Sequence, residues 1–107
     1  MFYKKNFNNY KKAFEGVTYK TLTYGNKTSL GEFMLEKGCI IPNHNHPHEQ
    51  TGYVISGRMT FTIDGEKYIA EPGDSWCIPG NVEHSVEVHE DSVVIEVFSP
   101  AREDYLP

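Results

Sequence analysis

The chain has 107 residues, of which 38% are hydrophobic, 13% aromatic and 23% charged, with a net charge of −5. That length supports one core, because two would leave each half too small to bury enough apolar surface. The mild acidity disfavours nucleic acid as a partner, no run approaches the roughly 18 apolar residues of a membrane span, and the N-terminus leads into no apolar signal segment, so the expectation is a cytoplasmic domain.

Residues 1–16 read as an N-terminal arm. Lys4, Lys5, Lys11 and Lys12 face only Glu15, and Tyr3, Phe7, Tyr10 and Phe14 recur at a spacing that places aromatics on one face of a short helix or against a partner copy. From Val17 onward, short runs of Val, Ile, Thr, Tyr and Phe are cut by Gly and Pro, which predicts an all-β domain over 17–107. The expected strands are Val17–Tyr24, Ser29–Glu36, Gly52–Ser56, Arg58–Ile63, Lys67–Ala70, Ser75–Ile78, Ser85–Val88 and Val93–Phe98. Asp64-Gly65 between two of them predicts a type I′ hairpin. Ser56-Gly57, Pro72-Gly73, Pro79-Gly80-Asn81 and Glu90-Asp91 read as further reversals. Connections this short leave no room for crossover helices, and an antiparallel jelly-roll β-barrel fits best. Cys39 and Cys77 form no CxxC pair and are expected as buried or half-buried thiols.

Three of the five histidines fall in the segment His44-Asn45-His46-Pro47-His48. On extended chain, positions i and i+2 share a face, so His44 and His46 both point inward while Asn45 points away. Pro47 interrupts the ladder, which takes His48 out of the expected ligand set and bends the chain so that Gln50 returns toward the site. His84, just after the turn Pro79-Gly80-Asn81, supplies a distant ligand, whereas His89 lies in the polar stretch His89-Glu90-Asp91-Ser92 and reads as solvated. The expected metal site is therefore His44, His46, Gln50 and His84, three neutral imidazoles and one amide oxygen around a divalent transition metal such as Zn, Ni, Mn, Fe or Co.

These residues resemble the cupin superfamily. Gly38, His44, His46, Gln50 and Gly57 fill its first motif at the right spacing, with Gln50 where glutamate is usual. Gly73, Pro79 and His84 fill the second, with Asn81 where a glycine and Val88 where an asparagine is usual. Asparagine tolerates the left-handed conformation that such a glycine supplies.

The barrel alone does not name a reaction. Along Val93–Phe98, alternation puts Val94, Glu96 and Phe98 on one face and Ile95 and Val97 on the other. If the first face looks inward, Glu96 is an acid or base beside the metal, Phe98 a stacking wall and Arg102 a carboxylate clamp. If it looks outward, Glu96 and Arg102 form an exposed pair of little consequence. The stretches around His44–Gln50, Ile78–His84 and Glu96–Leu106 are similar to the KdgF family of small cupins, which linearises 4,5-unsaturated monouronates to a 5-keto-4-deoxyuronate. That resemblance implies a metal-dependent isomerase of carbohydrate metabolism and pectin degradation. Its substrate is a small carboxylated sugar, its catalytic residues Glu96, Phe98 and Arg102, and its assembly a homodimer. The family more often has aspartate at the place of Glu96. An Fe(II) dioxygenase and a non-catalytic sugar- or metabolite-binding cupin are the alternative readings.

Overall fold

The computed structural model describes all residues, 1–107. It contains eight strands: β1 Lys11–Phe14, β2 Val17–Tyr24, β3 Ser29–Leu35, β4 Ile40–His44, β5 Glu49–Ile63, β6 Glu66–Ala70, β7 Ser75–Ile78 and β8 His84–Ser99, followed by a 3₁₀ turn at Glu103–Tyr105. Every strand pairing is antiparallel. The order is β1-β2-β3-β8-β5-β6, with β4 added on β8 and β7 on β5. No helix is long and apolar enough to cross a membrane.

Two strands of 15 and 16 residues organise the barrel. β5 and β8 pair along their whole lengths, from Glu49 opposite Ser99 to Ile63 opposite His84. β8 takes β3 as its other neighbour at one end and β4 at the other, so it joins two halves of one continuous eight-stranded sheet. β5 does the same with β7 and β6. The inward faces of these strands meet in one core that includes Val17, Phe33, Val54, Met59, Phe61, Val88, Val94 and Phe98. Period-two burial is clear in β3, where Ser29, Gly31, Phe33 and Leu35 are buried and the residues between them are not.

The expected breaks inside β5 and β8 are not reversals. Ser56-Gly57 and Glu90-Asp91 lie where the β5–β8 register shifts, between Val54 and Met59, and both strands continue through the bend. Gly57 takes φ +92°, and the buried Ser92 hydroxyl accepts from the Arg58 amide at 3.1 Å and donates to the Glu90 carbonyl at 2.7 Å. A bulge uses the same glycine and small polar residues as a turn, which is why composition could not separate them. His89 is consequently a strand residue, half-buried and bonded through Nε2 to the Thr60 hydroxyl at 2.7 Å, not a solvated loop residue. The Asp64-Gly65 turn has the two positive φ values, 50° and 82°, that its sequence requires.

Other expectations also change. The aromatic arm forms no helix. Residues 1–10 are irregular and Lys11–Phe14 pair with β2. Asparagines intervene, with the Asn8 amide bonded to the Asn6 side chain at 3.1 Å and Asn9 at φ 69°, and such local side-chain bonds compete with helix. Cys39 is half-buried as expected, but Cys77 is exposed, because Trp76 and Ile78 take the inward positions of β7. β4 was hidden by Pro42, which sits at a register irregularity between Ile41 and His44 on a strand that pairs only with β8.

A Cβ placed on Gly57 would overlap the Ser92 side chain and come within 2.5 Å of the Asp91 carbonyl. Gly57→Ala is therefore expected to lower unfolding free energy by about 2 kcal/mol or more, the sum of a strained φ and a clash with backbone. A urea denaturation midpoint equal to that of the wild type would show that the bulge does not need glycine.

Candidate metal centre and active site

Strand register brings the site together. β4 sets His44 directly opposite His84 on β8, and their ring centroids lie 4.1 Å apart. β5 sets Gln50 opposite Phe98, which makes Glu96, two positions along the same face of β8, its diagonal neighbour. His46 lies just beyond β4, held by its own carbonyl, which accepts the Asn81 amide at 2.7 Å. Asn81 has φ 66°, the left-handed conformation expected of the glycine place it fills. The two histidine-bearing loops are thus tied to each other.

The ligand nitrogens of His44, His46 and His84 all lie within 4.8 Å of one another. Each ring is oriented by a backbone carbonyl: Nδ1–H of His44 donates to Pro42 at 2.8 Å, that of His46 to His48 at 3.0 Å, and that of His84 to Val82 at 2.9 Å. With Nδ1 carrying the proton, each Nε2 presents a bare lone pair, and outer carbonyls of this kind orient metal-binding imidazoles. Burial, above all, lowers the His46 pKa and brings that of His84 down to about 4, so these two rings are neutral at neutral pH.

Two observations test whether a cation fits here. His84 Nε2 is buried without a hydrogen-bond partner. His46 Nε2 faces the Gln50 side-chain oxygen at 2.7 Å, although both atoms are then acceptors. A divalent cation satisfies all of these lone pairs together, which makes the donor set of three imidazoles and an amide oxygen chemically suited to one. His48 contributes its backbone carbonyl to the orientation of His46, while its own ring Nδ1 is buried and unpaired.

Alternation along β8 resolves inward for the Glu96 face: Val94 and Phe98 are each only 2% exposed, and Glu96 lines the same cavity as His44, Gln50 and His84. The Gln50 amide NH₂ donates to Glu96, which in turn fixes the Gln50 oxygen toward His46. Burial pushes the Glu96 pKa up to about 7, against the opposing pull of the Arg102 charge and of the nearby Trp76 and Gln50 N–H groups. A carboxyl group near neutrality can both take and return a proton.

Arg102 also lines the cavity, and it is not paired with Glu96 as an exposed couple. Its Nε and Nη2 hold Asp104 at 2.9 and 3.1 Å, and its guanidinium carbon lies 4.2 Å from the Tyr105 ring centroid and 5.2 Å from that of Phe98. The segment is anchored by the Arg102 amide on Ser29 Oγ at 2.9 Å and by the Thr21 hydroxyl on the Tyr105 carbonyl at 2.7 Å. Asp104 and Tyr105 had no periodic signal to announce them, since they sit in a single 3₁₀ turn. Phe14, which reaches the cavity from β1, was masked by the helical reading of the arm. Trp76 was missed although strand alternation with the buried Ile78 pointed to it.

Residues 31–99 match the cupin domain family. The pectin degradation protein KdgF of Dickeya dadantii (strain 3937) is 35% identical over 94 residues, which cover 86% of either chain. Among solved structures, KdgF from Halomonas sp. superposes with a TM-score of 0.87 at 30% identity over 92% of both chains. An RmlC-like cupin from Shewanella frigidimarina NCIMB 400 does so with a TM-score of 0.88 at 27% identity over 94% of both chains. The matched region contains every histidine of the cluster as well as Gln50, Glu96 and Phe98, and the chain belongs to the cupin domain family as a small single-domain cupin similar to KdgF.

Proposed function

We propose that the chain is a metal-dependent isomerase that opens 4,5-unsaturated monouronates to the linear 5-keto-4-deoxyuronate in pectin or alginate breakdown. The observation that carries this reading is a single ionisable carboxyl, Glu96, turned inward and bonded to the amide of a candidate metal ligand inside a cavity also lined by an arginine. Similarity to the KdgF proteins along nearly the whole chain supports it.

His44, His46, His84 and Gln50 would hold one divalent transition metal. Such an ion supplies Lewis acidity that polarises sugar oxygens. The Arg102 guanidinium uses one edge on Asp104 and keeps the other for the uronate carboxylate, which it can bind in the plane of a fork. Phe98 and Tyr105 stack on that guanidinium, restrict its rotation and keep water from the ring face. Glu96 takes the proton from the anomeric hydroxyl as C1 becomes a carbonyl and the bond from C1 to the ring oxygen breaks. The electron pair passes to the ring oxygen, leaving an enolate across C4 and C5. Return of the proton from Glu96 to C4 then gives the ketone at C5, and the whole change is an isomerisation with no net gain or loss of atoms.

Purified protein is expected to carry about one divalent ion per chain, as the single donor set allows, and to lose its activity on unsaturated galacturonate when chelator removes it; full turnover by metal-free protein would end the metal-dependent reading. His84→Ala should lose the ion. Glu96→Gln should keep fold and metal content while kcat falls by about 10²–10⁴, the range of a general acid–base, measured as ultraviolet loss of the conjugated uronate. Arg102→Lys should raise KM by roughly tenfold or more through loss of bidentate binding; an unaltered KM would remove the clamp.

A further inference from the structure

Trp76 is the only tryptophan of the chain, and the mechanism above does not use it. β7 sets it opposite Gly52, and β8 sets Glu96 opposite the same glycine from the other side of β5. A Cβ on Gly52 would collide with Cζ2 and Cε2 of Trp76 and come within 2.6 Å of its Nε1. The nitrogen-bearing edge of the indole therefore lies across the bare backbone of Gly52, the one strand residue that separates it from Glu96. Phe61 holds the ring there, with centroids 4.4 Å apart. The Nε1–H is buried and has no hydrogen-bond partner.

A buried donor left unpaired beside a half-buried carboxyl is not what core packing produces, since an all-carbon ring would stack on Phe61 without an orphaned N–H. An indole nitrogen can only donate, so its natural acceptor is a carboxylate oxygen. Gln50 already donates to Oε2 of Glu96, and a second donor would remove the remaining freedom of the carboxyl group to rotate. We infer that Trp76 is a positioning residue for Glu96. Its indole N–H joins the Gln50 amide in holding the carboxylate as it works, and residue 52 is glycine so that the indole can lie within reach. This inference rests on the reading of Glu96 as the group that moves the proton.

Trp76→Phe separates the two ideas, because it keeps an aromatic ring against Phe61 and removes the N–H, together with part of the volume of the indole. The expected result is a retained fold with wild-type metal content and KM, and kcat reduced about tenfold or more, the loss of one hydrogen bond to a charged group. Combined with Glu96→Gln, the same change should reduce residual turnover no further. Wild-type kcat in Trp76→Phe, with Glu96→Gln inactive, overturns the positioning role and leaves the proposed function standing; an active Glu96→Gln overturns both. Because the tryptophan is unique, ultraviolet resonance Raman of the indole N–H gives a readout without turnover and without altering Trp76. Glu96→Leu should move that band to the position of an unbonded N–H, and an unmoved band overturns the inference even if Trp76→Phe fails to fold.

Discussion

The continuous pairing of β5 with β8 is the constraint from which the site follows. These two strands are long enough to run through both halves of the sheet, and each bends where Gly57 and Ser92 absorb the change of register. Past the bend the ladder resumes with its faces in phase, so Gln50, Glu96 and Phe98 all project into the cup. A slip of one residue would turn each of them outward. The additions of β4 to β8 and β7 to β5 then deliver His44 to the same space and Trp76 to the core beside it.

Backbone groups do most of the orienting at the histidine cluster. Three carbonyls, from Pro42, His48 and Val82, each take one Nδ1–H, so the choice of tautomer is made by the main chain of the loops that carry the rings. The Asn81 amide on the His46 carbonyl couples those loops across the mouth of the barrel. Gly80 lies so close to Pro47 that a Cβ there would overlap its carbonyl. The imidazoles are therefore preorganised by covalent neighbours and tight turns, with little reliance on other side chains.

Glutamine at position 50 acquires a physical role in this setting. Its amide has two ends, an oxygen toward His46 and an NH₂ that donates to Glu96. A glutamate in its place could not donate, and it would set a second carboxylate against Glu96, where like charges in a buried site force one of the pair to stay protonated. With a neutral residue at 50, Glu96 remains the sole carboxyl lining the cavity, balanced by Arg102 and the nearby Gln50 and Trp76 N–H groups against the cost of burial.

Much of this was legible in the amino-acid order alone. The spacing of Gly38, His44, His46, Gln50, Gly57 and His84 identified the barrel and its histidine cluster, because metal ligands and special turn conformations each admit few residue types. Alternation along Val93–Phe98 put Val94, Glu96 and Phe98 on one face. Which face looked inward depended on pairing with β3 and β5, far away in the chain, and only the tertiary structure decided it. The same holds for Gly57 and the Glu90–Ser92 stretch, whose composition suits a turn and a bulge equally until a partner strand is present. Asparagines at 6, 8 and 9 overrode the aromatic period of the arm through local hydrogen bonds. Asp104, Tyr105 and Trp76 came to the site through a 3₁₀ turn and a four-residue edge strand, elements too short to carry a periodic signature but placed by long-range contacts that no local pattern encodes.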